Sequence, residues 1–207
     1  MIRAAILLLL LAAPQQSFTQ FTYCRANAGG PFESLCIQLD PAGAGEARFK
    51  RREGEELKTA IALSPGGNTQ FLRVLAGTKY LANAKTYESK RKVADLGRKH
   101  LTLETITDRR EADFNYSDMK DVTELVTFFE ALITQEALAV DLVWAMKYDS
   151  LGIPERLDKL EDLWKQKRLA DPKSLMEVLD LVNRDSNIVN YARAHAQELK
   201  EKIAAGK

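Results

Sequence analysis

In three short runs between residues 34 and 63, apolar side chains fall at every second position, the period of a strand with one packed and one wet face. Residues 34–40 read SLCIQLD, and the cluster from Pro41 to Gly45 turns the chain. Residues 46–52 place Ala47 and Phe49 between Arg48, Lys50 and Arg52. After a second turn at Gly54, residues 56–63 put Leu57, Thr59, Ile61 and Leu63 on one side. Ser64 before Pro65 is an N-cap followed by proline at the first helical position, so a helix carrying Phe71, Leu72, Val74, Leu75 and Tyr80 is expected next. Strand-like runs return at residues 92–96, 100–107 and 111–116.

At Asp118 the period becomes helical. Residues 119–148 contain neither Gly nor Pro and predict a helix about 45 Å long. Within it, residues 137–146 are apolar on nearly every face, which predicts deep burial. Gly152 and Pro154 stop that helix, and residues 154–167 carry Leu157, Leu160, Leu163 and Trp164 on one side. Asp171-Pro172 opens a helical tail over residues 173–183 and 187–203. The pattern predicts an α+β protein: an antiparallel β-sheet of about five to six strands with one helix, followed by an all-helical C-terminal unit packed on the sheet. The expected divisions are residues 1–20, 21–117 and 118–207.

The first division follows neither period. Arg3 precedes the apolar run AAILLLLLAA at residues 4–13, and Pro14, Gln15, Gln16 and Ser17 follow. A membrane-spanning helix needs about 20 apolar residues, so the run matches the apolar segment of a secretory signal peptide. Residues 1–20 are therefore expected to be a leader, the chain to be periplasmic or secreted, and no membrane span to remain after cleavage. Phe21, Thr22 and Tyr23 before Cys24 do not form a lipoprotein box. In an oxidising compartment Cys24 and Cys36, twelve positions apart, are expected to form a disulfide. Neither belongs to a Cys-x-x-Cys pair, so the spacing speaks for a staple and against thiol–disulfide catalysis.

Composition narrows the function classes. Of 207 residues, 45% are apolar and 29% charged, which is globular and neither disordered nor collagen-like. With 30 basic against 29 acidic residues the net charge is +1, without the excess of a dedicated nucleic-acid binder. The signs are unevenly spread, with 16 basic and 12 acidic residues in 21–117 against 13 and 17 in 118–207.

Three groupings carry candidate chemistry. Asp113, Asn115, Ser117, Asp121 and Glu124 occupy positions 1, 3, 5, 9 and 12 of a calcium-type loop, although Asp118 stands where the sharp turn wants Gly. Arg48, Lys50 and Arg52 point one way about 7 Å apart and form an anionic-partner face, which the basic runs at 90–92, 98–99 and 109–110 would extend from neighbouring strands. No nucleophile elbow or zinc motif exists, and the only imidazole pairs are His195 with Glu198 and His100 with Glu104. Asp141, inside the apolar helix, needs a partner such as an arginine of the β unit. The sequence thus points to an exported, non-catalytic interaction protein whose partner is a protein or an anionic envelope component. A calcium or anionic-ligand binding protein is the alternative, and a hydrolase whose carboxylates converge only in the fold is the second. No cofactor other than calcium is implied.

Overall fold

The computed structural model describes residues 18–26 and 32–206, so the expected leader lies outside the described residues as far as residue 17. Six strands form one antiparallel sheet: β1 (Phe18–Ala26), β2 (Phe32–Leu39), β3 (Ala44–Arg51), β4 (Glu56–Ala62), β5 (Lys99–Thr105) and β6 (Arg109–Phe114), in the order β4-β3-β2-β1-β5-β6. Among the described residues five α-helices accompany it: α1 (Pro65–Gly77), α2 (Lys120–Tyr148), α3 (Ile153–Lys165), α4 (Met176–Arg184) and α5 (Asn190–Ala205). The architecture is α+β, a sheet with one helix followed by a helical C-terminal region.

The sheet is one-sided. Phe21, Tyr23, Ile37, Leu39, Ala47, Phe49, Leu101, Leu103 and Phe114 are buried on the face that α1 and the first half of α2 cover. The ring of Phe129 in α2 lies 5.1 Å from Phe21 and stacks at 5.3 Å on Tyr23, while Phe71 of α1 meets it edge-on at 5.9 Å. On the opposite face Thr22, Cys24, Cys36, Gln38, Arg48 and His100 are half-buried, and Lys50 and Lys58 are exposed.

Strand β1 is the element the periodicity did not reveal. It occupies the centre of the sheet, between β2 and β5. A register shift between Phe18 and Gln20 resets the alternation, so Phe18 and Phe21, three apart, both enter the core. Phe18, Thr19 and Gln20, placed by the sequence pattern in the leader, belong to this strand. Conversely, residues 92–96 form no strand: Val93 and Leu96 are exposed, and the Leu96 amide donates to Asn115 Oδ1 (2.8 Å) instead of to a ladder. Leu57 is 43% exposed because β4 is the outermost strand, beyond the reach of the helices.

Helix α2 has 29 residues and serves two cores. Its residues up to Ile133 pack on the sheet, and Leu138, Leu142 and Ala145 pack with α3, α4 and α5. Between the two sets sit Gln135 and Glu136, both buried. Gln135 Nε2 donates to Glu136 Oε1 (3.2 Å) and Ser174 Oγ (2.8 Å), and its Oε1 accepts the Asp171 amide (2.9 Å). Asp171, 3% exposed, does not cap the turn that follows it; its carboxylate accepts the Ser64 amide and hydroxyl, each at 2.6 Å. That Ser64 hydroxyl in turn accepts the Gly67 amide (3.1 Å), so the N-terminus of α1 is tied to the helical tail. Asp141 has its partner in α3 and not in the β unit: Arg156 lies 2.9 Å away and also reaches Asp149 at 3.0 Å.

Burial pushes the Glu136 carboxyl up to about 7, against the lowering effect of the Gln135 hydrogen bond. Between its unfolded value, 4.5, and 7 the folded state binds the extra proton, so stability is full below 4.5 and falls as pH rises through that window. The loss amounts to about 3 kcal/mol in all. Glu136→Gln keeps the shape and removes the titration. Urea unfolding should show the variant level with the wild type near pH 4.5 and more stable by about 3 kcal/mol at pH 8; parallel curves across that range would contradict it.

Candidate functional site

The residues singled out by spacing do not converge. Arg48 and Lys50 share the uncovered face of β3, and Arg52 lies past its end. Each of the first two has acquired an acidic neighbour: Arg48 is 3.6 Å from Glu46 and 3.4 Å from Gln38, and Lys50 is 2.9 Å from Glu33. Lys58, opposite Arg48 on β4, stands 3.4 Å from Glu56. Arg48, Lys50 and Lys58 thus each have a carboxylate nearby, on β3, β2 and β4 respectively.

The calcium-type spacing is drawn out between a strand and a helix. Asp113 on β6 is bound to His100 at 2.9 Å. Asn115 holds the Leu96 amide (2.8 Å) and donates to Ala94 O (2.9 Å), while Ser117 Oγ accepts the Met119 amide at 3.3 Å. Asp121 is in the first turn of α2, and Glu124 faces Arg73 at 3.4 Å and Lys120 at 3.9 Å. Among the described residues no group of three or more His, Cys, Asp or Glu is placed to hold a metal ion.

Both histidines find partners other than those their spacing suggested. His195 on α5 reaches Glu161 (3.2 Å) and Asp158 (3.6 Å) of α3. A hydrogen bond from Lys202, joined by Lys165 and His195, holds the Glu161 carboxyl down to about 2 despite its burial. His100 pairs across the ladder with Asp113 through Nδ1, and its Nε2 lies 3.1 Å from Thr102 Oγ1. This is the connectivity of an acid–imidazole–hydroxyl relay, but Thr102 is 5% exposed, so its hydroxyl is not offered to a substrate.

A cleft has formed elsewhere, on the packed side of the sheet where α2 begins. It has a volume of about 290 Å³ and takes polar groups from Arg25, Lys99 and Glu130 and apolar walls from Leu96, Phe114 and Val126. The sheet register sets Lys99 directly between Arg25 on β1 and Phe114 on β6. Glu130 of α2 reaches over from the helix, pairing with Arg25 Nη1 at 2.6 Å and accepting the Tyr23 hydroxyl. Burial, and then the Glu130 charge, push the Tyr23 hydroxyl far up, so it remains a donor.

Two cations thus stand side by side, and the carboxylate that reaches them, Glu130, is bonded to Arg25; like charges directly opposed cost stability. Lys99 is the sharper case. It is 7% exposed, and its ammonium donates to two backbone carbonyls, Leu96 O (3.2 Å) and Asn115 O (2.7 Å). Burial lowers its pKa, only partly offset by Glu130, Asp95 and Glu88. Arg25 Nε is likewise buried with no hydrogen-bond partner among the described residues. The cleft can therefore accept an anionic group against Arg25 and Lys99, with an apolar body along Phe114 and Val126.

Spacing overlooked Arg25 and assigned Lys99 to the wrong face, although the signal was present. Lys99 is in phase with Leu101 and Leu103, and Arg25 with Phe21 and Tyr23, so each is a charge on the apolar side of its strand. Lys99 consequently faces away from Arg48 and does not extend the basic stripe. Asp113 and Asp141, the carboxylates a hydrolase would need in a deep pocket, are each about half-exposed and do not line this cleft.

No family model matches this chain, and no curated protein matches it either.

Because Lys99 is buried with no carboxylate at ion-pair distance among the described residues, and burial outweighs the pull of Glu130, Asp95 and Glu88, removing its charge should help the fold. Lys99→Met is expected to raise the unfolding free energy by about 1–2 kcal/mol in urea denaturation. A loss of stability would instead make the ammonium a structural requirement.

Proposed function

We propose that the protein is an exported, non-catalytic binding protein, and that its ligand is a small anion with an apolar body held in the cleft under α2. The observation that carries this reading is Lys99, an ammonium 7% exposed whose hydrogen-bond partners are backbone carbonyls, set beside Arg25. A carboxylate or phosphate entering there would supply the missing charge in a low-dielectric site, where charge-assisted hydrogen bonds are strongest. The volume of about 290 Å³ suits a ligand of modest size. Export is supported by the apolar run at residues 4–13 behind Arg3 and by the bonded pair Cys24–Cys36. Among the described residues no helix is long and apolar enough to cross a membrane.

Calorimetric titration with octanoate, octyl phosphate and octanol tests the ligand class. Octanoate or octyl phosphate should bind saturably and octanol should not, and Lys99→Met should weaken binding about tenfold or more. Equal binding of octanol, or no saturable binding of any of the three, would remove the proposal.

Export has its own test. Removal of residues 1–20 would take away Phe18, whose ring meets Phe71 at 6.0 Å. Mass spectrometry of the protein recovered from the envelope or medium should therefore find a mature chain that starts after the apolar run of residues 4–13 and no later than Phe18. A chain still beginning at Met1, or one starting beyond Phe18, would count against this account of the leader.

A further inference from the structure

On the uncovered face, the strand register draws one row across the whole sheet: Lys58, Arg48, Cys36, Cys24, His100 and Asp113, each directly opposite the next. The bonded cysteines are the centre of that row, on the two inner strands β1 and β2. Both are half-buried, and the apolar core lies entirely on the other side of the sheet from them. A cation flanks the pair on one side, because Arg48 is opposite Cys36. Its Nε is buried with no hydrogen-bond partner among the described residues, and the nearest carboxylate, Glu46, is 3.6 Å away. An imidazole flanks it on the other side, because His100 is opposite Cys24 and is held by Asp113 at 2.9 Å.

These neighbours are the ones that favour a thiolate. A sulfur beside a guanidinium ionises more readily than a free thiol, and a better-stabilised thiolate leaves a disulfide faster. Local spacing, with the cysteines twelve positions apart, spoke against exchange, but the ladder supplies the closeness that a Cys-x-x-Cys turn would otherwise provide.

We propose that Cys24–Cys36 is a thiol–disulfide exchange site served by an exported dithiol protein as electron donor. One thiolate of the donor attacks Cys24 Sγ. The S–S bond breaks, and its electron pair leaves on Cys36 Sγ, next to Arg48. The donor's second thiol loses its proton and attacks the donor sulfur of the mixed disulfide, releasing Cys24 as a thiolate beside His100. The donor ends as a disulfide, two electrons reside on Cys24 and Cys36, and the protons of the donor pass to solvent or to His100. The site is on the opposite face from the cleft and does not depend on the ligand reading.

The test uses the full mature chain under native conditions, with dithiothreitol as the dithiol and acid-quenched alkylation followed by mass spectrometry. At about 1 mM dithiothreitol and neutral pH, half of the pair should be reduced within minutes, with the far-UV circular dichroism retained. Arg48→Gln should slow the reduction about fivefold or more, while Lys58→Gln, one strand further from the sulfurs, should leave it unchanged. Alkylation of the reduced protein against pH should place the first thiolate below the free-cysteine value of about 8.5, and Arg48→Gln should move it back up. A pair that stays closed in millimolar dithiol until guanidinium unfolds the chain would overturn the proposal. So would an alkylation midpoint at or above the free-cysteine value, or equal slowing by Lys58→Gln.

Discussion

The carboxylate of Asp171 is buried at 3% exposure, and its two oxygens accept the amide and the hydroxyl of Ser64, 107 residues earlier in the chain. An unpaired buried carboxylate would cost several kcal/mol, so this contact fixes the end of α1 against the turn before α4. The backbone at Gly67 comes so close that a Cβ there would fall 2.3 Å from Asp171 Oδ2, which requires glycine at that position. Gln135 takes the Asp171 amide, and with it the middle of α2 is set at the same junction. The sheet core and the helical core therefore meet at one polar knot. Buried networks of this kind specify an arrangement only when every member is satisfied, and Glu136, whose carboxyl burial pushes up to about 7, is the member whose charge depends on pH.

Fixing α2 in this way also places Glu130, one turn and a half earlier, over the end of β1. There it meets Tyr23 and Arg25, and the space left between helix and strands is the cleft. Because successive side chains of a strand point to opposite faces, the same three residues serve both sides of the sheet: Tyr23 and Arg25 face the cleft while Cys24 faces solvent. Lys99 and His100 divide in the same manner on β5. The cleft and the disulfide row are thus two aspects of β1 and β5, and nothing in the chemistry of either requires the other.

Much of this architecture could be read from period alone. Strands β2 and β3 were legible because apolar and polar residues alternate without interruption in 34–40 and 46–52, and α2 because thirty residues pass without a breaker. Strand β1 was hidden for a physical reason: the register shift after Phe18 breaks the alternation, and the apolar leader beside it has no period of its own. Residues 92–96 looked like a strand because Val93 and Leu96 are apolar, but no neighbouring strand offers them a ladder, and Asn115 takes the amide of Leu96 instead. The candidate sites fared less well than the elements. Spacing along a strand states which residues share a face, but not which groups of the adjacent strand will stand against them, as Glu33 of β2 does for Lys50.

By itself the sequence determined the class of the fold, the single helix after the meander, the start of the helical region and the pairing partner available to each cysteine, because these depend on local periodicity, on breakers and on there being two cysteines. Only the tertiary structure decided where β1 inserts, which strands become neighbours, and so which side chains stand in one row across the sheet. Lys99 beside Arg25 and Cys24 beside His100 are facts of register between strands about seventy-five residues apart. Such register is set by the packing of Phe21 and Tyr23 beneath Phe129, with Leu101 opposite Tyr23 in the same core, a constraint spread over distant parts of the chain and invisible to any local window.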